Sequence, residues 1–440
     1  MNGNFNYFKK LNIDKLYFLV LFIFAAKATY EFSSFSIQSF VNFSIVFIFS
    51  IYECYKHKIR LFNKKSIILT LIFLIWYFLL WGVSNIQMDL TYIIDLIFTI
   101  FVCIIITNSL KNQLFLYYEQ LVVTLTTISL VLYVINIVLG SGFLMQFSIF
   151  TPYGGSSEGS LLIYNINSNT DVDGKTLFGL IRNCGFAWEP GRFASMIIIA
   201  IVINLCRTRF KFSRNKQLYI LLIGLFTTFS TTGYVTLMII ILCFAITKFK
   251  RISKVFVISF MIIASLFVMD LPFIREKIND NYQTESYITT DYNYIQNVEK
   301  SLLTGDGVRT TFTPQRFECI SIDFLNFREH PFTGYGMDRT KSFAYNNISE
   351  YITLTNGFIR EFALWGVIIG LLFNIFLIKS SMKIPILFNS HNNKWVFVIT
   401  YYLLSISYVF ILDPAIISIF LFTLFANFDY EKNFNYNDKL

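Results

Sequence analysis

Solid apolar runs separated by short polar connections organise this chain from residue 16 to residue 428. Each run approaches the ~20 residues that a helix needs to cross ~30 Å of hydrocarbon. The pattern predicts about twelve membrane spans, near 16–34, 37–54, 66–86, 91–109, 120–139, 192–206, 217–229, 232–248, 254–270, 356–378, 395–412 and 414–428. A membrane β-barrel would instead show short segments alternating between apolar and polar residues. The expected fold class is therefore all-α, a polytopic integral membrane protein.

Lysine and arginine fall in alternate connections. Lys9, Lys10 and Lys15 precede the first span; Lys56, Lys58, Arg60, Lys64 and Lys65 follow the second. Arg207, Arg209, Lys211, Arg214 and Lys216 follow the sixth, Lys248, Lys250, Arg251 and Lys254 the eighth, and Lys379 and Lys383 the tenth. Positive connections stay on the cytoplasmic side, so this alternation predicts cytoplasmic N- and C-termini in a bacterial inner membrane. Lys9, Lys10, Lys15 and the Ala26-Lys27-Ala28 triplet also have the form of a cleavable signal, but a first span reads the same way.

Two connections are long, and both are expected on the outer side. The expected layout is an N-terminal helical region over 1–139, a first large outer loop over 140–191 and central helices over 192–270. A second large outer loop over 271–355 precedes C-terminal helices and a tail over 356–440. Loops of this length are usually functional. In the second, Thr313 and Pro314 have the form of a helix start. Phe317, Ile320, Phe324 and Phe327 would then share one face, against the membrane surface or the bundle. No internal repeat of the inverted kind is visible.

Composition agrees: of 440 residues, 55% are hydrophobic and 14% charged. The net charge of +9 is spread among short basic clusters, which argues for topology and against a nucleic-acid partner. The six cysteines form no CxxC, the three histidines lie far apart in sequence, and nothing has structural-zinc spacing. Neither metal nor cofactor is expected. Cys184 and Cys319 are the two cysteines in the expected outer loops, and their pairing stays open.

Charges beside apolar runs mark candidate chemistry. Arg182, Glu189 and Arg192 stand at the mouth of the sixth span, with Pro190 at its first helical position. One reading is a capping carboxylate with an interfacial ion pair to Arg192. The other is an anion and sugar site, because guanidinium forks bind phosphate oxygens bidentately. Arg316, His330 and Arg339 belong to a second stretch, where His330 is a candidate general base or a turn residue. Asn356, Arg360 and Glu361 open the tenth span; mutual pairing of the last two would account for them. Asp95, inside the fourth span, is a candidate partner for Lys27 or Arg360. Ser230–Tyr234 (STTGY) reads as a polar outward turn.

Four segments, in order, resemble the O-antigen polymerase (Wzy-type) and ligase superfamily of bacterial surface-polysaccharide assembly. They are R-N-C-G-F-A-W-E-P-G-R-F-A (182–194), S-T-T-G-Y (230–234), H-P-F-T-G-Y-G (330–336) and T-N-G-F-I-R-E-F-A-L-W-G-V-I-I-G (355–370). The layout of spans and two large loops is similar over essentially the whole chain. Two departures stand out: the turn at 230–234 lacks an arginine, and Thr355 stands where ligases often carry a histidine.

The resemblance implies a membrane glycosyltransferase that polymerises polyprenyl-diphosphate-linked oligosaccharide repeat units into O-antigen or capsule. Donor and acceptor would both be polyprenyl (undecaprenyl) diphosphate-linked, with the bilayer, a chain-length regulator and a flippase as partners. An acceptor hydroxyl would attack the anomeric carbon as the lipid diphosphate leaves. That needs a base, for which Glu189 and His330 are the candidates with Arg182 beside them. It also needs cations for the diphosphate, drawn from Arg182, Arg192, Arg316 and Arg339; Asn356 and Arg360 are further substrate contacts. The rival readings are an O-antigen ligase with a lipid or protein acceptor, and a lipid-linked oligosaccharide flippase without bond chemistry.

Overall fold

The structure, a computed structural model, describes residues 12–33, 39–61, 64–84, 90–153, 157–167, 181–248, 314, 316–336, 338–348, 352 and 354–429. Among these residues the protein is helical apart from a two-stranded hairpin. The helices are α1 (Ile13–Ala26), α2 (Phe40–His57), α3 (Lys64–Ser84), α4 (Leu90–Leu110), α5 (Gln113–Leu139), α6 (Ser141–Met145), α7 (Pro190–Arg207), α8 (Lys216–Thr227) and α9 (Thr231–Lys248). They continue with α10 (Arg316–Glu329), α11 (Phe343–Asn347), α12 (Arg360–Leu387), α13 (Val396–Ser405), α14 (Pro414–Phe420) and α15 (Phe422–Phe425). Among the described residues, five stretches are long and apolar enough to cross a membrane: Tyr92–Leu110, Gln113–Leu139, Pro190–Arg207, Thr231–Lys248 and Arg360–Leu387. The expected ninth span, 254–270, lies outside the described residues, as does most of 271–355.

The centre of the bundle is α7. Every side chain from Phe193 to Cys206 is buried, and α5, α8, α9 and α13 pack around it. A helix apolar on all sides has no face to offer water or lipid and so becomes the axle of the fold. Gly233 of α9 lets that crossing close up, since a Cβ there would stand 3.0 Å from the Ala194 Cβ.

The expected spans 395–412 and 414–428 are not continuous helices. α13 has 10 residues, and α14 and α15 meet at a break at Leu421. At 1.5 Å per residue, α13 covers only about 15 Å, too short to cross by itself. Between α13 and α14 the chain is irregular over 406–413, where Pro414 restarts the helix. Irregular backbone at such a place must be buried in protein, and Ser407, Tyr408 and Asp413 are.

A second irregularity is shared by two of the sequence motifs. α12 is kinked at Gly366, which adopts φ 70 and ψ 177. The carbonyls of Ala363 and Leu364 then accept hydrogen bonds from the Tyr335 and Gly336 N–H groups, at 2.9 and 3.1 Å, and Val367 N–H donates to Pro331 O at 2.7 Å. The 330–336 segment thus occupies the gap in α12. Side chains are excluded there: a Cβ on Gly334 would stand 2.2 Å from Leu364 O, and one on Gly366 would stand 2.1 Å from Phe332 O.

α10 corrects the expected helix in the second loop. It starts at Arg316, and its buried side chains are Glu318, Cys319, Ile322, Asp323 and Asn326, whereas Ile320 and Phe327 of the expected apolar face are only half-buried. Phe324 is 53% exposed. α10 therefore packs on α12 and α11 through a largely polar face.

Candidate functional site

The mouth of α7 is built by four chain segments. The 181–189 segment is fixed first. Asn183 accepts from Ser129 Oγ (3.0 Å) and from Gly185 N–H (2.9 Å), and its own N–H donates to Thr227 O (2.9 Å). The hairpin Gly159–Ser160/Asn165–Ile166 adds the Asn165 side-chain amide, which donates to Ala187 O at 2.6 Å. Glu189 follows as N-cap residue with extended backbone, and Pro190 takes the first helical position as expected.

The Glu189 carboxylate does not cap the helix. Its Oε1 instead accepts from Arg316 Nη2 at 3.4 Å. Arg316 also donates to Ser407 O through Nη1 and to the Tyr408 hydroxyl at 3.2 Å, with its guanidinium carbon 4.9 Å from the Tyr408 ring centre. The Arg316 side chain is one-third exposed and that of Glu189 one-fifth. Gly191 makes room: a Cβ there would stand 2.1 Å from the Tyr408 hydroxyl oxygen.

Arg192 is placed differently from the expected pair with Glu189. Its guanidinium is buried, donates twice to Ala25 O (3.1 and 2.8 Å), pairs with Asp413 and lies against the rings of Tyr408 and Phe410. Lys27, just past α1, is close enough to interact electrostatically with Asp413 and Arg192. Arg192 and Arg316, with Lys27 nearby, thus stand against Glu189 and Asp413. Asp413 and Lys27 were not singled out as site residues from the sequence. A signal for Asp413 existed, because Asp413-Pro414 repeats the carboxylate-proline form of Glu189-Pro190.

Arg182 lies beside this group in sequence, and its Nε donates to Thr228 O at 3.2 Å in the turn before α9. The turn covers 228–230, so of the expected outward turn Ser230–Tyr234 only Ser230 precedes the helix and Thr231–Tyr234 open α9, with Ser230 Oγ accepting from Gly233 N–H at 3.3 Å.

The remaining candidates form a second cluster around α10. Asp323, fully buried, accepts from Asn356 Nδ2 at 2.7 Å and from Asn326 Nδ2 at 3.1 Å. Burial pushes its carboxyl up to about 6, against the opposing pull of Arg360 and of these amides. Asn356 Oδ1 accepts from Ile359 N–H at the start of α12, so this residue is a structural junction. Arg360 donates to Leu354 O at 2.9 Å, whereas Glu361 accepts from the Tyr401 hydroxyl at 2.7 Å. The expected Arg360–Glu361 pair therefore does not form. Arg339 and Arg360, with Asn326, Tyr335, Ser342 and Tyr345, line a small open pocket. His330 closes α10 with its Nε2 3.1 Å from Lys341 O. Fourteen residues separate His330 from Arg316, which on a helix is about 20 Å. Cys184 and Cys319 are both free thiols.

The segment that carries this second cluster also carries a family signature. Residues 218–362 match the family model of the O-antigen ligases. The match covers one third of the chain, from α8 to the start of α12, and includes Arg316, His330, Arg339, Asn356 and Arg360. It supports the O-antigen polymerase/ligase superfamily and, with it, a membrane enzyme acting on lipid-linked glycans. No curated protein matches the chain.

Proposed function

We propose that the protein polymerises polyprenyl-diphosphate-linked repeat units into surface polysaccharide at the outer face of the bacterial inner membrane. The observation that carries this reading is the Arg316–Glu189 contact: a partly open guanidinium shares a carboxylate that is released from helix capping. In this reading Arg316, backed by Lys27 and Arg192, neutralises the diphosphate of the donor as charge builds on it. Glu189 takes the proton from the acceptor hydroxyl as that oxygen bonds to the anomeric carbon. The bond from the anomeric carbon to the diphosphate oxygen breaks, and its electron pair leaves with the lipid diphosphate. Glu189 is preferred to His330 as the base because His330 stands a helix length from Arg316.

Two pockets elsewhere in the fold suit other parts of such substrates. The pocket of Arg339 and Arg360 offers hydrogen-bonding groups for sugar hydroxyls. An open apolar pocket between α3, α4, α12 and the α14–α15 segment, bordered by Ile411, suits contact with part of a prenyl chain. The ligase alternative has the description of the matched family in its favour; Thr355, in place of the ligases' frequent histidine, favours the polymerase.

Deleting the gene in the native host and sizing the surface glycan separates these readings. Collapse of the ladder to a single capped repeat unit supports the polymerase. Loss of all attached glycan with long lipid-linked polymer accumulating outside identifies a ligase, and loss without such polymer identifies a flippase.

A further inference from the structure

α1 and α2 bring a separate cluster together, at the opposite end of α1 from Ala25 and Lys27. Asp14 lies in the first turn of α1; Glu53 and His57 lie four residues apart on the last turns of α2 and so share one face. A carboxylate oxygen of Asp14, one of Glu53 and an imidazole nitrogen of His57 all lie within 4.8 Å of one another. The Glu53 side chain has no exposed surface, and neither of its carboxylate oxygens accepts a hydrogen bond. His57 Nε2 stands 3.4 Å from Glu53 Oε2 and 2.9 Å from Asp14 Oδ1, between the two carboxylates. A buried carboxylate that accepts no hydrogen bond is costly, and a second carboxylate beside it raises that cost. The cluster is therefore short of positive charge at its centre.

We propose that Asp14, Glu53 and His57 bind one divalent cation of the zinc–manganese class. Carboxylate oxygens and imidazole nitrogen are the ligands such ions take, and three protein ligands leave a fourth position for water. Lys56 holds the place of the cation's charge: its ammonium pairs with Asp14, the same carboxylate that His57 contacts. The Lys56 side chain is 30% exposed and on a flexible stem, so it can swing to water when the ion enters. Asn12, which donates to Asp14 Oδ2 at 2.8 Å, keeps that carboxylate oriented. The bound ion would clamp α1 to α2. This site is independent of the glycan chemistry and stands whether or not that reading does.

The test uses the full-length protein in detergent, stripped with EDTA and titrated with Zn²⁺ alone and with Co²⁺ alone. Expected are one equivalent of metal per chain, a rise in Tm, and a Co²⁺ visible absorption of the oxygen- and nitrogen-ligated kind. Glu53→Gln, which keeps shape and removes charge, and His57→Ala, at a partly exposed position, should each weaken binding at least tenfold. Lys56→Ala should tighten it or leave it unchanged. A wild-type protein that binds no metal, with no change in Tm, overturns the proposal. Equal binding by wild type and both ligand variants overturns it as well, by placing the metal elsewhere.

Discussion

The two ends of α7 each carry an arginine paired with a buried carboxylate, and they use it in different ways. At one end, Arg207 forms a two-pronged pair with Glu119 (2.9 and 2.6 Å), while Asn204 donates to the same carboxylate at 2.7 Å and Gln217 accepts from Arg207 at 2.8 Å. Glu119 is buried, and the pair ties α5 to α7 and the start of α8. At the other end, Arg192 is buried with Asp413, but Arg316 faces it across Tyr408 and keeps one-third of its surface open. The first is a closed lock. The second joins a lock to a cation that can meet a ligand without dismantling the fold. The lesson is that an arginine locked to a buried carboxylate does not by itself mark a site; an exposed cationic neighbour sharing its surroundings does.

The comparison breaks most sharply at Arg316. Arg316→Ala should reduce polymer formation by about 10²–10³-fold, as for a donor lost from a charge-stabilising site, with the protein at normal abundance in the membrane. Turnover of lipid-linked repeat units, normalised by immunoblot, measures it; normal turnover would remove the open end from the chemistry. Arg316→Lys should also be strongly impaired, because an ammonium cannot hold Ser407 O, Tyr408 and Glu189 in the guanidinium geometry.

Arg207→Met should act on the opposite quantity. Leaving Glu119 buried without its partner should cost about 3–5 kcal/mol of stability, with activity per folded molecule kept. Thermal unfolding in detergent reads this, and adding Glu119→Leu should recover much of the loss. Arg192→Lys falls between the two: a lower Tm and a turnover reduced roughly tenfold would show that this position serves both fold and site. Wild-type values in both would reduce it to packing.

Asp323 sharpens the comparison through pH. Its folded-state carboxyl titrates near 6, above the ordinary 3.8, so the folded state binds a proton more tightly than the unfolded state. Stability from this group is therefore present at low pH and is lost as pH rises from about 4 through 6. The stability of the wild type relative to Asp323→Asn should rise on acidification from pH 7 to 5, approaching about 3 kcal/mol at the limit. A difference independent of pH would show that Asp323 is ionised throughout. The smallest effect is expected at His330: His330→Ala should change turnover by less than about threefold, since a group ~20 Å away cannot take the proton. A hundredfold loss there would move the base from Glu189 to the second cluster.

Much of this was legible in the chain. The helical membrane class follows from long apolar runs, and the start of α7 follows from Glu189-Pro190. The candidate arginines follow from charge placed beside hydrocarbon. Partner choice was not legible. Glu189 and Arg192 are three residues apart and suggest a local pair; the fold instead gives Arg192 to Asp413, 221 positions away, and Glu189 to Arg316, 127 positions away. The inward face of α10 was not legible because three of its buried positions, Glu318, Asp323 and Asn326, are polar, and apolar periodicity reports only apolar burial. The Glu53–His57 spacing was present in the sequence, but its third member, Asp14, arrives only when α1 packs on α2.

The sequence by itself determined what is local: which segments prefer hydrocarbon, where proline starts a helix, and which glycines leave room for backbone. Those choices depend on a residue and its near neighbours, so they can be read along the chain. Tertiary structure alone decided which charges meet. The cost of an unpaired buried charge is met by whatever group packing brings within hydrogen-bonding distance, and that group is set by helix crossings, by the break at 406–413 and by the kink at Gly366. The lock at Arg207, the open pair at Arg316 and the cluster at Asp14 are each products of that packing.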